Sequence, residues 1–430
     1  MTGQNRSISN EASILKRRHP PLGLPRGYLN SSESKCAPCV LLMSISPFPR
    51  KRDRMFLVPV IGAQLIIGTS LFLLPVLVDA LRVHAGLSAR AAGLLLSLEL
   101  AAAALTTISL SLWSPRHSAR RWAINGGFLA IAGTLLTLVS PALPILVGSR
   151  LLAGIGAGVV GAGATRVFSY VIDRERMIGI VTILSILNAA IWLAVLPYLI
   201  DIFGYRAPYF SLLLVDIIGV LLLMRLPGLR GIPRTSCQVS SNGLSSVLVA
   251  AAVFMTQLGQ GAFWCMAGMY GGNAGLSRHA IGVILSISTL TLLAGAVGAA
   301  WAGDRYGRFT TLLVLLAINA LSIFLLGTVA VRWVYVTANI LQSVTNLSSV
   351  IYQLGLAASL DRLGRAVAVS TALVTLGNGI GPGLSAGFAG AFGIPSVVML
   401  VLGLNGAALA LYCVVIMRRV EEPQMMPSLT

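Results

Sequence analysis

The chain has 430 residues, 56% hydrophobic and only 10% charged, yet its formal net charge is +18. A soluble domain carries about 25% charged residues, so a chain of this length and content cannot cover a soluble core. A mean hydropathy of +0.86 agrees. The positive charge is read as loop arginine held against anionic lipid, which excludes a nucleic-acid footprint as its cause.

Residues 1–54 come first. They hold all three lysines of the chain, Lys16, Lys35 and Lys51, and prolines from Pro20 to Pro49 that interrupt any helix. The run Cys39–Ile45 is too short to span a bilayer and too short for a secretory signal. The segment reads as a disordered basic cytoplasmic tail, with Met55 as an alternative start. Cys36-Ala-Pro-Cys39 has metal-clip or redox spacing but no βαβ pattern around it.

From Phe56 the chain becomes a string of about twelve apolar runs, each near the roughly 20 residues that cross a 30 Å hydrocarbon core. The runs read as helices at 56–79, 91–113, 122–140, 143–165, 177–200, 207–224, 244–269, 280–302, 309–331, 333–356, 366–391 and 394–417. They must be helices, because lipid offers the backbone no hydrogen-bond partners. Arginines fall mainly on alternate connections. Arg116, Arg120, Arg121, Arg166, Arg174, Arg176, Arg225, Arg230, Arg234, Arg305, Arg308, Arg362, Arg365, Arg418 and Arg419 lie on one side; Arg82, Arg90, Arg206, Arg278 and Arg332 lie on the other. The richer side is read as cytoplasmic, so both termini are expected there, in a plasma membrane of the bacterial inner-membrane kind.

The two halves repeat. Trp113 and Trp301 are 188 residues apart, as are Asp173-Arg174 and Asp361-Arg362, and Phe203-Gly204 is matched by Phe392-Gly393. The expected fold is an all-α polytopic membrane protein of two six-helix bundles in parallel pseudo-repeat. The bundles are expected at 55–226 and 244–418, joined by a cytoplasmic linker at 227–243 rich in Arg, Pro, Gly and Ser, with a cytoplasmic tail at 419–430. Two such repeats about an axis normal to the membrane are a transporter plan with the solute between the halves.

Inside the spans only two acids stand well away from the ends, Glu99 in the second and Asp216 in the sixth, together with one arginine, Arg150 in the fourth. Buried charge in a bilayer is costly and marks proton or ion pathways. All three are candidates for proton coupling, with Glu99 preferred to Asp216. Structural hydrogen bonding between helices is the rival reading for the acids, and snorkelling to the nearer end is the rival for Arg150. Polar side chains recur at helical spacing: Ser185, Asn188 and Trp192 in the fifth span; Gln257, Gln260 and Trp264 in the seventh; Gln342, Asn346, Ser349 and Gln353 in the tenth. With Gln64 in the first span, they are candidates for a solute cavity suited to a small polar or aromatic solute, anionic if Arg150 reaches it.

The loop Ala300-Trp-Ala-Gly-Asp304-Arg305-Tyr-Gly307-Arg308-Phe309 resembles the cytoplasmic signature of the major facilitator superfamily, G-x-x-x-D-R-x-G-R. The resemblance implies that Asp304, Arg305, Gly307 and Arg308 form a cytoplasmic gate, with Asp304 latched to the helix that starts near Ala366. The equivalent first-half loop, Trp113 to Arg121, has Arg116 where the acid belongs. Arg150-Leu-Leu-Ala-Gly154 resembles the family's fourth-helix signature, which implies proton coupling through Arg150. Gly377-Asn-Gly-Ile-Gly381-Pro382 resembles the G-x-x-x-G-P hinge of drug and metabolite antiporters, expected there in the fifth span and here in the eleventh.

The reading is a transporter of this superfamily that moves a small organic solute by alternating access. Proton coupling and export are favoured over the alternative, proton-coupled import of a small organic acid or nutrient. No enzyme activity, cofactor, metal or nucleic-acid partner is expected, and the chain is expected to be monomeric. A membrane-embedded enzyme or a sensor is the remote rival, because no clustered catalytic groups occur in the sequence; the absence of a GxxxxGK[ST] phosphate loop argues against an ATP-driven motor.

Overall fold

The computed structural model describes residues 51–112, 119–139, 142–168, 170–171, 174–227, 243–303, 305–360 and 365–421. Most of the expected tail and linker lies outside these residues. So do the Cys36/Cys39 pair, Trp113, Asp173, Asp304 and Asp361-Arg362.

Thirteen α-helices are described: α1 Lys51–Phe72, α2 Leu74–His84, α3 Ala89–Leu112, α4 Ala119–Val139, α5 Leu143–Val167, α6 Arg174–Phe203, α7 Ala207–Leu223, α8 Leu244–Asn273, α9 Arg278–Ala302, α10 Arg308–Thr328, α11 Arg332–Leu360, α12 Arg365–Phe392 and α13 Ile394–Glu421. Together α1 and α2 form the first span, and each later helix is one span. The break between them falls at Leu73 (φ −87°, ψ 4°) and traces to Pro75 in the first turn of α2. Proline lacks an N–H, and its ring would meet the Leu71 carbonyl of a continuous helix. At the other end α1 starts at Lys51, inside the segment read as tail, with Asp53 in its first turn where the helix dipole favours an anion.

Nine stretches among the described residues are long and apolar enough to cross a membrane, and one of them, Arg176–Leu223, contains both α6 and α7. Helices α11 and α12 are not among them. Their windows are diluted by the polar stripe of α11 and the glycines of α12, which face protein.

The near end of the bundle is defined here by Lys51 and Glu421, and the far end by the α2–α3, α6–α7 and α12–α13 turns. The halves meet through α3 on α12, α6 on α9 and α2 on α8. At the far end one buried cluster runs across both halves, including Leu77, Leu81 and Leu96 with Phe263, Met266 and Val401. Toward the near end the cores separate. Phe56, Val167, Met177 and Leu226 belong to one cluster, and Val249, Leu312, Tyr352 and Tyr412 to another.

Candidate functional site

Two polar sites lie in this frame, one inside the first half and one between the halves. The first is built around Arg150 on α5. Glycines allow the backbones around it to touch. A Cβ on Gly154 would lie 2.2 Å from the Glu99 carbonyl oxygen of α3, and one on Gly133 of α4 would lie 2.5 Å from the Ala153 nitrogen of α5. This approach carries Arg150 between α3 and α4, where it is fully buried. The side chain therefore does not snorkel.

Its Nη1 donates to Glu99 Oε2 at 3.2 Å. Its Nε donates to Thr137 Oγ1 at 3.0 Å and its Nη2 to the Gly133 carbonyl at 3.4 Å, with a further Nη2 bond to Thr137. The guanidinium lies 5.4 Å from the centre of the Tyr209 ring of α7. The second oxygen of Glu99 accepts from Ser70 Oγ of α1 at 3.0 Å. Asp216 of α7 accepts from Thr134 Oγ1 of α4 at 3.0 Å. Glu99 and Asp216 line one chamber of about 20 Å³, room for roughly one water molecule. The sequence ranked Asp216 below Glu99. The structure brings both acids to one chamber, and Arg150 is paired with one of them, Glu99. One guanidinium neutralises one carboxylate, and the other carboxyl is neutral only when it holds a proton.

The second site is a cavity of about 260 Å³ between the halves. Of the expected cavity residues, Gln64, Ser185, Gln257, Gln260, Trp264, Gln342 and Asn346 line it. The other four expected residues have different surroundings. Ser349 is buried and donates to the Thr345 carbonyl of its own helix at 2.6 Å. Asn188 donates to Thr69 Oγ1 at 3.1 Å, joining α6 to α1. Trp192 packs on the far-end apolar cluster. Gln353 is fully buried and donates to Thr256 Oγ1 at 3.2 Å, joining α11 to α8. Sequence reasoning did not single out Thr182, Thr289, Ser343 or Asn378, which line the cavity. Asn378 sits inside the glycine run read as a hinge, and the other three are small hydroxyl side chains outside the stripes of amide and indole.

The far end of the cavity is shut by contacts across the halves. Ser97 Oγ of α3 donates to the Gly379 carbonyl of α12 at 2.7 Å, and Ser286 Oγ of α9 donates to the Ala190 carbonyl of α6 at 2.7 Å. Asp201 of α6 meets His279 at 2.9 Å and Arg278 at 3.6 Å. At the α1–α2 break, Val76 N–H turns back to Leu73 rather than to Phe72. The released Phe72 carbonyl accepts from Trp264 Nε1 of α8 at 3.1 Å. Trp264→Phe keeps the ring and loses this bond. With a net hydrogen bond worth about 1 kcal/mol, far-end opening should rise roughly five-fold. The measurement is the labelling rate of Thr289→Cys, a buried residue that lines the cavity, by a membrane-impermeant thiol reagent added at the far side, in a chain otherwise free of cysteine. An unchanged rate would remove the latch.

Of the expected gate, Asp304 lies outside the described residues. Arg305 stands over the Trp301 ring at 5.2 Å, and Gly303 and Gly307 take positive φ (48° and 77°) in the turn before α10, which Arg308 opens. The run from Gly377 to Gly383 packs both ways. A Cβ at Gly381 would lie 2.5 Å from the Ala262 nitrogen of α8, and one at Gly383 would lie 2.8 Å from Ser97 Oγ of α3. Helix α12 stays continuous through Pro382.

Residues 60–238 and 249–428 match the Major Facilitator Superfamily, one match in each half. The chain belongs to this superfamily. It is a multi-pass membrane transporter with the two-repeat, all-α fold. The crystal structure of the human organic anion transporter MFSD10 (TETRAN) superposes with a TM-score of 0.59 at 16% identity, covering 85% of this chain and 100% of that one. A structure reported for substrate recognition in proton dependent oligopeptide transporters superposes at 0.67 with 13% identity, covering 86% and 99%. At these identities the likeness concerns fold alone. No curated protein matches the chain.

Proposed function

We propose that this superfamily member exports a small organic solute across a plasma membrane, driven by protons moving the other way. The observation that carries the proton reading is the buried Arg150–Glu99 pair, with Asp216 across a water-sized chamber. A proton arriving on Glu99 weakens the hold on the guanidinium. Arg150 is then free to change partners among Thr137, Gly133 and the second carboxylate. Helices α1, α3, α4, α5 and α7 all contribute to this cluster, so its rearrangement bears on the whole first bundle. A structural neighbour described as proton dependent supports the same reading at the level of fold.

The near end is cytoplasmic in this proposal, because the arginine-rich connections gather there. The structure then corresponds to the inward-facing stage of the cycle: cores joined at the far end and separated at the near end. The expected domain limits, the gate of Arg305, Gly307 and Arg308 with Asp304, and the α12 glycines belong to the same proposal as parts that move in the opposite stage.

The test compares cells with and without the intact chain by untargeted metabolite profiling of cytoplasm and medium. A compound that accumulates outside only with the chain, and stops doing so when a protonophore collapses the gradient, is the expected result. Depletion of a compound from the medium would overturn export in favour of import. Accumulation that ignores the protonophore would overturn proton coupling.

A further inference from the structure

The chemistry of the central cavity specifies more than a small solute. Among its described lining residues there is no acid, no base and no histidine. Six carboxamides take their place: Gln64, Gln257, Gln260, Gln342, Asn346 and Asn378. Arg150, the cation read from the sequence as a possible cavity group, is fully buried in the first bundle and paired with Glu99. We infer that the solute is uncharged and carries several hydroxyl or amide groups on one edge, with a flat or apolar face opposite.

The amides are arranged for such an edge. Gln342 Nε2 donates to Gln260 Oε1 at 2.6 Å, and Asn378 Nδ2 donates to Gln257 Oε1 at 2.9 Å. Each pair is held by one bond and keeps a carbonyl oxygen and an NH₂ for a ligand. A solute with both donors and acceptors satisfies both, whereas an ion satisfies one kind and strands the other. These four amides come from α8, α11 and α12, all in the second half. The first half supplies Leu71, Phe72 and Ile186 as an apolar patch beside the polar Gln64, Thr182 and Ser185, and Trp264 spends its indole N–H on Phe72, which leaves its ring as a surface. The second bundle thus supplies five of the six amides, while the first also holds the titratable chamber.

Closure sharpens the argument. Alternating access requires a stage in which the cavity is shut at both ends. A charged solute would then be stripped of water with no counter-charge on the described walls, whereas a neutral one loses only hydrogen bonds that the amides replace. The size also fits: about 260 Å³ falls just below the usual range of ligand pockets, roughly 300 to 1,000 Å³. That suits a monosaccharide or a nucleoside rather than a peptide chain.

The inference rests on the transport reading above, and its test separates the two. The purified full chain is titrated with matched triplets: a hexose, its uronic acid and its amino sugar; a nucleoside, its 5′-carboxylate and its 5′-amine. Thermal shift, together with tryptophan fluorescence compared between the intact chain and Trp264→Phe, reports binding, and proteoliposome flux reports movement. In at least one triplet the neutral member should bind at least tenfold more tightly than both charged relatives; which triplet responds tells a sugar from a nucleoside. Asn346→Asp places one carboxylate in the cavity and should transfer that preference to the amine, while Asn346→Ser keeps the neutral preference. A charged member that binds as tightly as its neutral relative overturns the inference, and if that member is also carried, the transport reading stands. Failure of every neutral member to bind overturns the inference as well. If cell profiles are also unchanged, the transport reading falls with it.

Discussion

Arg150→Ala should stop proton-driven transport and lower the unfolding free energy by roughly 3–5 kcal/mol, the cost of breaking a buried pair from one side. The cost falls on what stays behind. Glu99 would keep Ser70 as donor but lose the guanidinium at 3.2 Å, and Thr137 and the Gly133 carbonyl would lose theirs. Adding Glu99→Gln to Arg150→Ala should recover more than half of the lost stability, because the orphaned charge is gone, and should recover none of the transport. Arg150→Lys separates charge from shape. An ammonium can reach Glu99 but cannot serve Glu99, Thr137 and Gly133 together as a planar fork does, so the chain should fold while proton coupling drops at least about tenfold. Chemical unfolding of the purified chain and proton flux in proteoliposomes measure the two effects. If the double variant were no more stable than Arg150→Ala, Glu99 would not be the partner that matters.

The spans were legible because bilayer thickness dictates length, and twelve apolar runs of that length leave few alternatives. The break in the first span was not read, although Pro75 stands in its sequence. Hydropathy averages over a proline, whereas its missing N–H acts at one carbonyl. The polar stripes on α8 and α11 were legible for the same geometric reason that makes them a face. Spacing gives a side of a helix but not its neighbour, so Gln353 shares a stripe with Gln342 and yet points at Thr256 instead of the cavity. Asn188 met Thr69 in the same way. Asp216 ranks below Glu99 in sequence because the family likeness makes the sixth helix peripheral to the cavity, and no pattern within α7 says that α4 will bring Thr134 to it. The glycines around Asn378 resemble a hinge in sequence, and that resemblance hides the amide; in the structure they also bring α12 against α8 and α3, placing the amide at the cavity wall.

Gly154→Ala is expected to cost more than its single methyl group suggests, and Gly148→Ala on the same helix should cost almost nothing. The new Cβ at 154 would stand 2.2 Å from the Glu99 carbonyl oxygen and 3.1 Å from the Ala102 Cβ, while a Cβ at 148 meets nothing within 4 Å. A backbone oxygen in a helix cannot swing aside, so α3 and α5 must part. Overpacking of this kind costs roughly 1–3 kcal/mol; an unopposed Gly-to-Ala change in a helix is neutral or gains up to about 1 kcal/mol. The larger effect is on function. Glu99 is carried by the segment of α3 that must retreat, and Arg150 lies one turn from residue 154, so the displacement stretches the 3.2 Å pair directly. Transport by Gly154→Ala should therefore fall at least about tenfold at a protein level and thermal stability that Gly148→Ala matches or exceeds. Equal transport by both variants would mean that the Arg150–Glu99 distance is not what the glycine protects.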